Sequence, residues 1–320
     1  MTAELSWIEK EIKHQRFGEQ PRSLYEPIRY IMALGGKRVR PMLTLLAYQL
    51  YRKDAERIVP YAVAVEAFHN FTLLHDDIMD KAPLRRGKAT VHEKWDVNTA
   101  ILSGDVMLVK VYDMLLGLPA DQLKAVLPLF NACAAGVCEG QQWDMEFESK
   151  AKVTQAQYIE MIRLKTAVLL GFSLEFGAVL AGAPDRDCAL LRQAGTHLGI
   201  GFQLKDDLLD VYGDQKKFGK QVGGDILSNK KTFLLIHALA TAKGKDKAEL
   251  QHWLAAKKYD PRKKVSAITA LYNKLGVREA TEKKIKSYFD LGFADLLQLS
   301  AEAKTAVLIQ FAEQLADRQR

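Results

Sequence analysis

Apolar residues recur at helical spacing along most of this 320-residue chain. The apolar side chains Val63, Ala67, Phe71 and Leu74 are separated by three or four positions, which places them on one face of a helix. The segments 7–12, 24–31 and 265–275 follow the same rule. No run of alternating apolar and polar residues flanks an Asn-Gly or Asp-Gly pair, so the pattern predicts no hairpin. We therefore expect a chain that is nearly all helix.

Helix ends and loops favour a single large domain. Thr154 followed by Gln157 has the form of a capping box, which predicts the start of a helix that carries Lys165. Short loops are expected around Gly35-Gly36, from Pro83 to Lys88 and from Gly213 to Gly224. None of these loops has the composition of a flexible linker. The sequence therefore predicts an all-α fold with one domain over residues 1–320.

The most apolar stretch of the chain runs from Thr166 to Ala183. A membrane-spanning helix needs about 20 apolar residues. This stretch carries Glu175 near its centre and is interrupted by Gly171 and Gly177. We therefore expect a helix buried in the protein core and no transmembrane segment. The N-terminal residues are charged and show no apolar leader.

Composition and charge narrow the possible functions. Apolar residues make up 48% of the chain and charged residues 27%, which excludes a disordered or collagen-like protein. Cys133, Cys138 and Cys188 are too few for a disulfide scaffold and indicate a reducing, cytoplasmic setting. The net charge of +7 suits nucleic acid, an acidic membrane surface or a phosphorylated small molecule as partner.

Two acidic clusters carry the strongest chemical signal. Residues 73–80 read LLHDDIMD and residues 202–214 read FQLKDDLLDVYGD, so a DDxxD pattern occurs twice inside apolar helices. Aspartates four positions apart share a helix face and repel each other. Because burial adds a desolvation cost, these carboxylates need a cation nearby. The aspartates concerned are Asp76, Asp77, Asp80, Asp206, Asp207 and Asp210.

Magnesium accounts for the clusters better than two alternatives. Carboxylates suit Mg²⁺, which keeps bound waters and bridges protein oxygens to substrate phosphates. A solvated acidic face would explain one cluster, but it explains less well why the same pattern occurs twice in apolar surroundings. An EF-hand needs ligands at alternate loop positions, a central glycine and a terminal glutamate, which neither segment offers. We therefore expect several Mg²⁺ ions around a diphosphate.

Basic residues near the acidic clusters fit an anionic substrate. Gly35-Gly36 precede Lys37 and Arg40, and glycines allow the backbone to approach a phosphate closely. Arginine matches phosphate oxygens two at a time, and lysine acts as a point charge. The other basic residues of this group are Arg85, Arg86, Lys165, Lys220, Lys230 and Lys231.

Two later basic runs, Lys257-Lys258 and Arg262 to Lys264, are expected to be solvated. Nucleic-acid binding would call for basic residues interleaved with exposed aromatic residues on one face. Here the basic groups flank acidic ones, which would repel a polyphosphate in the absence of metal. The pattern therefore indicates a small phosphorylated ligand with magnesium, and no nucleic acid.

Taken in order, these motifs resemble those of the trans-isoprenyl diphosphate synthases. One DDxxD is a weak signal, but two of them with the GGKxxRP and RRG elements in order are very specific. Residues 1–34 and everything after Thr232 match the family by helical character alone. The matching residues are Gly35-Gly36-Lys37-Arg38-x-Arg40-Pro41, His75-Asp76-Asp77-x-x-Asp80, Arg85-Arg86-Gly87, Lys165-Thr166, Gly201-Phe202-Gln203-x-x-Asp206-Asp207-x-x-Asp210, Gly219-Lys220 and Gly224-Asp225-x-x-x-x-Lys230-x-Thr232.

The resemblance implies a fold and a reaction. The fold would be the isoprenoid synthase-type helical bundle with a deep central cavity, in a homodimer. The enzyme would be a prenyltransferase that condenses isopentenyl diphosphate with an allylic diphosphate, which could be dimethylallyl, geranyl or farnesyl diphosphate. The cofactor would be Mg²⁺, with three ions per active site when substrate is bound. The released diphosphate would accept the proton that is lost.

The resemblance also implies roles for individual residues. Asp76, Asp80 and Asp206 would bind magnesium, with Asp77, Asp207 and Asp210 as nearby or water-mediated partners. Thr166 and Gln203 would face the developing carbocation and, with Lys165 and Lys220, form the catalytic group. The residues expected to hold the allylic diphosphate are Arg85, Lys165, Lys220 and Lys230. The residues expected to hold isopentenyl diphosphate are Lys37, Arg40, His69 and Arg86.

Product length is the open question. The DDIMD form lacks the two-residue insertion of many bacterial farnesyl synthases and resembles the geranylgeranyl type, which makes a twenty-carbon product. Phe71 and Thr72 lie five and four residues before Asp76, where they could form the cavity floor. Phe68, one turn deeper, could shorten the cavity and give the farnesyl product instead. The alternative for both phenylalanines is ordinary core packing.

Two rival functions share parts of this pattern. A class I terpene cyclase has the same fold and the first acidic motif, but usually carries an Asn/Ser/Glu motif in place of the second DDxxD. A catalytically silent partner subunit of a prenyl synthase tends to lose its acidic motifs. Both motifs are intact here and the second is all aspartate, which favours the active synthase.

Overall fold

The computed structural model describes residues 2–213, 223–300 and 303–316. These residues are almost entirely helical, which confirms the predicted fold class. The first half contains α1 Thr2–His14, α2 Arg22–Ala33, α3 Val39–Gln49, a 3₁₀ turn Ala55–Ile58, α4 Val59–Met79, β1 Leu84–Arg85, β2 Lys88–Ala89, α5 Val91–Lys94, α6 Val97–Leu115 and α7 Ala120–Ser149. The second half contains α8 Gln155–Ile162, a π-helical turn Arg163–Ala167, α9 Val168–Ala181, α10 Asp185–Tyr212, α11 Gly224–Leu227, α12 Phe233–Thr241, α13 Gly244–Ala255, α14 Pro261–Lys274, α15 Val277–Leu297 and α16 Ala306–Ala316.

Local sequence signals account for several of these boundaries. The capping box at Thr154 is formed: its side chain accepts from the backbone of Gln157, and the Gln157 side chain accepts from the backbone of Thr154. Asp96 caps α6 in a related way by accepting from Thr99. Gly276 has φ +66° and separates α14 from α15. Such left-handed positions favour glycine, which has no Cβ.

A short hairpin departs from the all-helical prediction. β1 and β2 pair in antiparallel fashion, with Leu84 opposite Ala89 and Arg85 opposite Lys88. Arg86 and Gly87, which join them, have φ values of 52° and 73°. Two consecutive left-handed residues form the type I′ turn of a tight hairpin. The prediction of no hairpin was wrong because it looked for Asn or Asp before the glycine, whereas an arginine occupies that position here.

The chain packs into two compact units. The first unit comprises Met1–Asn131, Phe172–Arg192 and Leu299–Leu308, and the second comprises Ala132–Gly171, Gln193–Gln298 and Ile309–Arg320. The prediction of one domain over residues 1–320 stays a prediction, as does the deep cavity.

Helix α4 forms the centre of the first unit, where it packs against α1, α3 and α6. Its residues Val63, Ala67 and Phe68 are buried. Gly104 on α6 lies directly against α4, since a Cβ there would lie 2.2 Å from the His75 ring. Since the first acidic motif occupies the end of α4, this packing fixes its position.

The core of the second unit is formed by α8, the end of α10, α12, α14 and α15. Tyr158, Leu204, Leu234 and Ile268 are almost completely buried in it. One helical stretch among the described residues, Gln155–Ala181, is long and apolar enough to cross a membrane. However, 78% of its most apolar window is buried inside the protein. This burial fits the prediction of a core helix.

Candidate active site

The first acidic motif lies at the C-terminal end of α4. Asp76 is half-buried, Asp80 is exposed and caps the helix, and Asp77 is only 2% exposed. Unpaired carbonyls make the C-terminal end of a helix partially negative, which adds to the charge of the aspartates. The motif is therefore a strongly electronegative helix end with two solvent-accessible carboxylates and a buried one.

Arg85 neutralises the buried aspartate. Its Nε donates to both carboxylate oxygens of Asp77 at 2.8 and 2.9 Å, and its Nη2 lies 2.7 Å from Oδ1. The same Nη2 lies 3.8 Å from Oδ2 of Asp76. Burial raises the pKa of the Asp77 carboxyl, and the Arg85 guanidinium opposes that shift. The hairpin thus directs one arginine at the acidic motif.

The other arginine of the hairpin packs against the glycine-rich loop. A Cβ on Gly36, whose φ is +141°, would lie within 2.8 Å of the Arg86 guanidinium. Glycine at this position therefore lets the arginine lie directly on the backbone beside Lys37. The type I′ turn, with Arg85 in a strand and Arg86 in the loop, separates the two side chains. This explains physically why the RRG element begins with two arginines.

Arg38 anchors the basic loop. It has φ +48° and is 2% exposed. Its guanidinium donates to Glu9 and Glu66, both at 2.8 Å, and to the carbonyl of Met32 at 2.9 Å. Arg38 and Glu66 were not among the residues predicted to form the site. Because these hydrogen bonds hold Arg38 in place, they also restrict the positions of the neighbouring basic residues of the loop.

Arg40 and His69 form a second contact of this loop. Arg40 Nη1 lies 3.1 Å from His69 Nε2. Burial, with the positive charge of Arg40 and of other arginines, lowers the pKa of His69 well below its usual value. The imidazole is therefore neutral, so Nε2 accepts the hydrogen bond from Arg40. A neutral ring neither repels nor neutralises the guanidinium of Arg40.

Aromatic residues precede the first acidic motif on α4. Phe71 and Phe68 are 9% and 1% exposed, and their ring centroids are 5.7 Å apart. Phe68 also packs edge-on against Phe130 at 5.1 Å, and Phe71 packs against His75 at 4.9 Å. The Thr72 hydroxyl donates to the carbonyl of His69. Of the two phenylalanines, Phe68 is the more deeply built into the core.

The second acidic motif lies near the C-terminal end of α10. Asp206 is exposed, Asp210 is half-buried and Asp207 is 5% exposed. The backbone amide of Asp225 donates to Oδ2 of Asp210 at 2.9 Å, and that of Gly223 donates to the carbonyl of Asp210 at 2.7 Å. The segment that begins at Gly223 is thereby joined to the end of α10.

A hydrogen-bonded chain holds the buried Asp207. The Tyr158 hydroxyl donates to Oδ2, and the Gln203 amide donates to Oδ1 at 3.0 Å. The Thr166 hydroxyl in turn donates to the side-chain oxygen Oε1 of Gln203 at 3.0 Å. Burial, with the nearby charge of Asp225, raises the pKa of Asp207 above the usual range. Predicted residues Thr166 and Gln203 are thus in contact, with Tyr158 as a partner that the sequence analysis missed.

Two predicted lysines share one carboxylate. Lys165 Nζ lies 2.7 Å from Oδ2 of Asp144, and Lys230 Nζ lies 3.7 Å from the same oxygen. These cations and a hydrogen bond outweigh burial and lower the pKa of Asp144. Asp144 was not predicted from the sequence. It is one of several carboxylates on its helix, with Glu139, Glu146 and Glu148 nearby, and such residues are most often on the surface.

A π-helical turn presents Lys165 and Thr166. Helices α7 and α10 approach it through glycines: a Cβ on Gly140 would lie 2.2 Å from the Lys165 nitrogen, and one on Gly199 would lie 2.7 Å from Ala167. π-helical turns occur frequently at functional sites, because the wider turn redirects side chains. The irregular backbone here is therefore held by close packing on both sides.

The structure brings many of the predicted residues into contact within each unit. In the first unit Asp77 forms an ion pair with Arg85, and Arg40 forms a hydrogen bond with His69. In the second unit Thr166 forms a hydrogen bond with Gln203, and Lys165 and Lys230 both lie next to Asp144. Lys220 lies outside the described residues. The remaining predicted roles, including the assignment of each aspartate to metal, stay predictions.

The donor set fits magnesium with a substrate. Among the residues that the structure describes, no three His, Cys, Asp or Glu side chains form a cluster that could hold a metal ion by themselves. Mg²⁺ commonly binds through one or two carboxylates, waters and substrate phosphates, and so needs no cage of protein ligands. Asp76, Asp80, Asp206 and Asp210 are hard oxygen donors that solvent reaches. These residues could hold magnesium once a diphosphate completes its coordination.

Comparisons with known proteins agree with this chemistry. Residues 21–272 match the family model described as polyprenyl synthetase. A short chain isoprenyl diphosphate synthase from Methanocaldococcus jannaschii is 43% identical over 239 residues, which are 74% of this chain and 72% of that protein. A geranylgeranyl diphosphate synthase from Methanosarcina mazei is 41% identical over 222 residues, 68% of each chain. The crystal structure of geranylgeranyl pyrophosphate synthetase from Pyrococcus horikoshii superposes with a TM-score of 0.91 at 34% identity, covering 99% of this chain and 96% of that one.

Proposed function

We propose that this chain, which belongs to the polyprenyl synthetase family, condenses isopentenyl diphosphate with an allylic diphosphate to make geranylgeranyl diphosphate. The chain is a prenyltransferase, and its family depends on Mg²⁺. One observation carries the proposal beyond the family. In both acidic motifs other side chains bind the middle aspartate, while the outer aspartates are exposed or half-buried, and in the first motif Arg85 lies 3.8 Å from Asp76. That arrangement suits metal-assisted binding of a diphosphate.

The side chains then have the following roles. Lys165, Lys220, Lys230 and Arg85 hold the allylic diphosphate, and Lys37, Arg40, Arg86 and His69 hold isopentenyl diphosphate. The outer aspartates would hold the three Mg²⁺ ions, which would supply positive charge for the departing diphosphate. The Thr166 and Gln203 oxygen atoms stabilise the allylic cation, since their positions are fixed through Asp207. The double bond of isopentenyl diphosphate attacks this cation, and the released diphosphate accepts the proton.

The twenty-carbon product is supported by the relatives and by the aromatic residues of α4. Synthases of geranylgeranyl diphosphate are among the most similar proteins of known activity. Phe71 lies five residues before Asp76, about 7.5 Å along the helix axis, so it is placed to limit a growing chain. Farnesyl diphosphate is the alternative product, and the deeply packed Phe68 would set that shorter limit.

A homodimer is supported by the outer surface of α6. Leu102 and Val109 lie seven residues apart on α6, Leu116 follows directly after its last residue, and each of the three is more than half exposed. An apolar stripe of this kind is the usual signature of a helix that packs against another protein.

The three cysteines form no disulfide in the part of the chain that the structure describes, which suits the proposed cytoplasmic setting.

Product analysis tests the proposal. The protein is incubated with Mg²⁺, isopentenyl diphosphate and each allylic primer in turn, and the dephosphorylated products are separated by reverse-phase chromatography. We expect a twenty-carbon alcohol as the main product. A cyclic hydrocarbon released without isopentenyl diphosphate would identify a terpene cyclase, and absence of turnover in the folded protein would identify a silent subunit.

The Phe71→Ala variant refines the same assay. Removing the ring opens space for several methylenes, so we expect longer products with the primary condensation rate largely kept. Phe68→Ala should act less on product length and more on stability, by about 3 kcal/mol, because Phe68 packs in the core. An unchanged product distribution in folded, active Phe71→Ala would place the chain-length limit elsewhere.

A further inference from the structure

Lys264 is a buried cation inside a basic run that the sequence predicted to be solvated. It lies on α14 and is 0% exposed. The prediction was wrong for this residue because Val265, Ile268 and Leu271 belong to the packed face of α14, and Lys264 points along that face. Lysine is rarely buried unless its ammonium is bound. Its partners therefore indicate what Lys264 does.

The ammonium group of Lys264 binds the end of a short helix. It donates to Oδ1 of Asn229 at 2.7 Å and to the carbonyl of Leu227 at 3.3 Å. It also lies 4.3 Å from the ring centroid of Tyr259, whose hydroxyl donates to the same Leu227 carbonyl at 3.1 Å. A cation at the C-terminal end of a helix satisfies carbonyls that lack a helical partner. Lys264 thus closes the end of α11.

Asn229 is held on its other side as well. Its Nδ2 donates to the carbonyl of Leu254 at 3.1 Å. Its φ is +56°, in the left-handed region where asparagine is tolerated. Two side-chain hydrogen bonds therefore stabilise a turn that the backbone alone would disfavour. The residue that follows this turn directly is Lys230.

The same segment is tied to the second acidic motif at its other end. The amide of Lys230 donates to the carbonyl of Asp225 at 2.9 Å, and the amide of Asp225 donates to Oδ2 of Asp210 at 2.9 Å. Lys230 Nζ lies 3.7 Å from Asp144. The direction of the Lys230 side chain therefore depends on the turn at Asn229.

We propose that Lys264 is a positioning residue which, through Asn229 and Leu227, holds Lys230 in place for the diphosphate of the allylic substrate. The inference rests on the proposed role of Lys230 in the reaction. Lys264 itself makes no contact with substrate. Burial lowers the pKa of its ammonium, which is consistent with this enclosed position.

The test separates the two Michaelis constants. Lys264→Met keeps the length of the side chain and removes the ammonium. We expect the KM of the allylic diphosphate to rise by about 10-fold, with the KM of isopentenyl diphosphate within about twofold, because the allylic diphosphate loses an oriented cation. Lys263→Met, which alters an exposed lysine on the same turn, is the matched control and should change neither constant.

A second variant guards against a simple folding defect. Asn229→Gly tolerates the left-handed backbone and keeps Lys264, but it removes the oxygen that Lys264 binds. It should raise the allylic KM as Lys264→Met does. Equal rises in both Michaelis constants, or no rise in either variant when both are folded by circular dichroism, would overturn the inference.

A double-mutant cycle shows whether Lys264 acts through Lys230. Lys230→Met alone should raise the allylic KM. Adding Lys264→Met to it should cause little further change, since coupled residues are not additive. The full Lys264→Met effect in the Lys230→Met background would overturn the inference while leaving the prenyltransferase function intact. An unchanged allylic KM in Lys230→Met would overturn the role of Lys230 itself, and with it the inference.

Discussion

The two acidic motifs share one sequence pattern, yet each holds its middle aspartate differently. In the first unit Asp77 forms a bidentate ion pair with Arg85. In the second unit Asp207 accepts hydrogen bonds from the neutral donors Tyr158 and Gln203, and its pKa is raised. Burial raises the pKa of both carboxyls, but the Arg85 guanidinium opposes this shift at Asp77, whereas the Asp225 carboxylate adds to it at Asp207.

The shared features of the motifs are equally informative. Both lie at the C-terminal end of a helix, and both expose their outer aspartates. On a helix the second aspartate points about 100° away from the first and about 60° away from the last, on the same side of both, so it can enter the core while the outer pair faces solvent. The middle aspartate therefore anchors one neighbouring residue of the proposed site, Arg85 in the first motif and Gln203 in the second. The outer pair stays accessible for the Mg²⁺ ions that we propose.

The largest effect is expected at the outer aspartates. Asp76→Ala and Asp206→Ala should each reduce kcat by at least about 100-fold, because charge stabilisation of the departing diphosphate is lost. The helical content should stay unchanged, since neither residue is buried in the core. Steady-state kinetics with saturating Mg²⁺, together with circular dichroism, measure both quantities. Full activity of either variant, or of wild type in excess chelator, would contradict the metal-site proposal.

The two middle aspartates should differ in their contribution to stability. Asp77→Asn leaves Arg85 without its counter-charge in a partly buried site and should lower the free energy of unfolding by about 2 kcal/mol. Asp207→Asn replaces a carboxyl already surrounded by neutral donors and should cost less than about 1 kcal/mol. Denaturant unfolding of the metal-free proteins measures both values. Equal losses would show that the two anchors are physically alike.

Tyr158→Phe sharpens the comparison at the second motif. It removes one donor from Asp207 without changing the size of the ring, so we expect a loss of about 1 kcal/mol in stability. Gln203 keeps its own bond to Asp207 but is less firmly held, so kcat should fall by severalfold. Thermal unfolding and single-turnover kinetics provide the two readouts. A variant with unchanged rate and stability would remove Tyr158 from this network.

The smallest expected effect is on pH dependence. Because the pKa of Asp207 is raised in the folded protein, its contribution to stability is fully present below the ordinary carboxyl pKa of about 4 and is lost as the pH rises into the neutral range. The metal-free wild type should therefore lose stability relative to Asp207→Asn across this range. Urea unfolding of both proteins between pH 4 and pH 8 measures the difference. A constant difference would mean that Asp207 titrates normally.

Much of the fold could be predicted from the sequence, because the relevant signals are local. Helical spacing and the capping box at Thr154 depend on neighbouring residues, and both were correct. The two acidic clusters could also be predicted, because the aspartates of each DDxxD motif are close neighbours in the sequence. The hairpin was missed because Arg86 takes a backbone conformation that its type seldom adopts.

The anchors of the site could not be predicted in this way. Asp144, Tyr158 and Lys264 acquire their roles from partners that are 21 or more positions away in the chain. Nothing in their own neighbourhoods distinguishes them from a surface carboxylate, a core tyrosine and a solvated lysine. Tertiary packing brings these partners together, so only the folded structure reveals them.

Mg²⁺-dependent binding of inorganic pyrophosphate tests most directly whether the outer aspartates bind metal while the middle aspartate only anchors its neighbours. Isothermal titration calorimetry would compare wild type with Asp206→Asn and its neighbour Asp207→Asn at fixed Mg²⁺. We expect Asp206→Asn to weaken pyrophosphate binding by at least about 10-fold, because a metal ligand is lost. The affinity of Asp207→Asn for pyrophosphate should stay within about twofold of wild type. Equal weakening of pyrophosphate binding in the two variants would contradict this assignment, because the middle aspartate would then contribute to metal binding as much as the outer one.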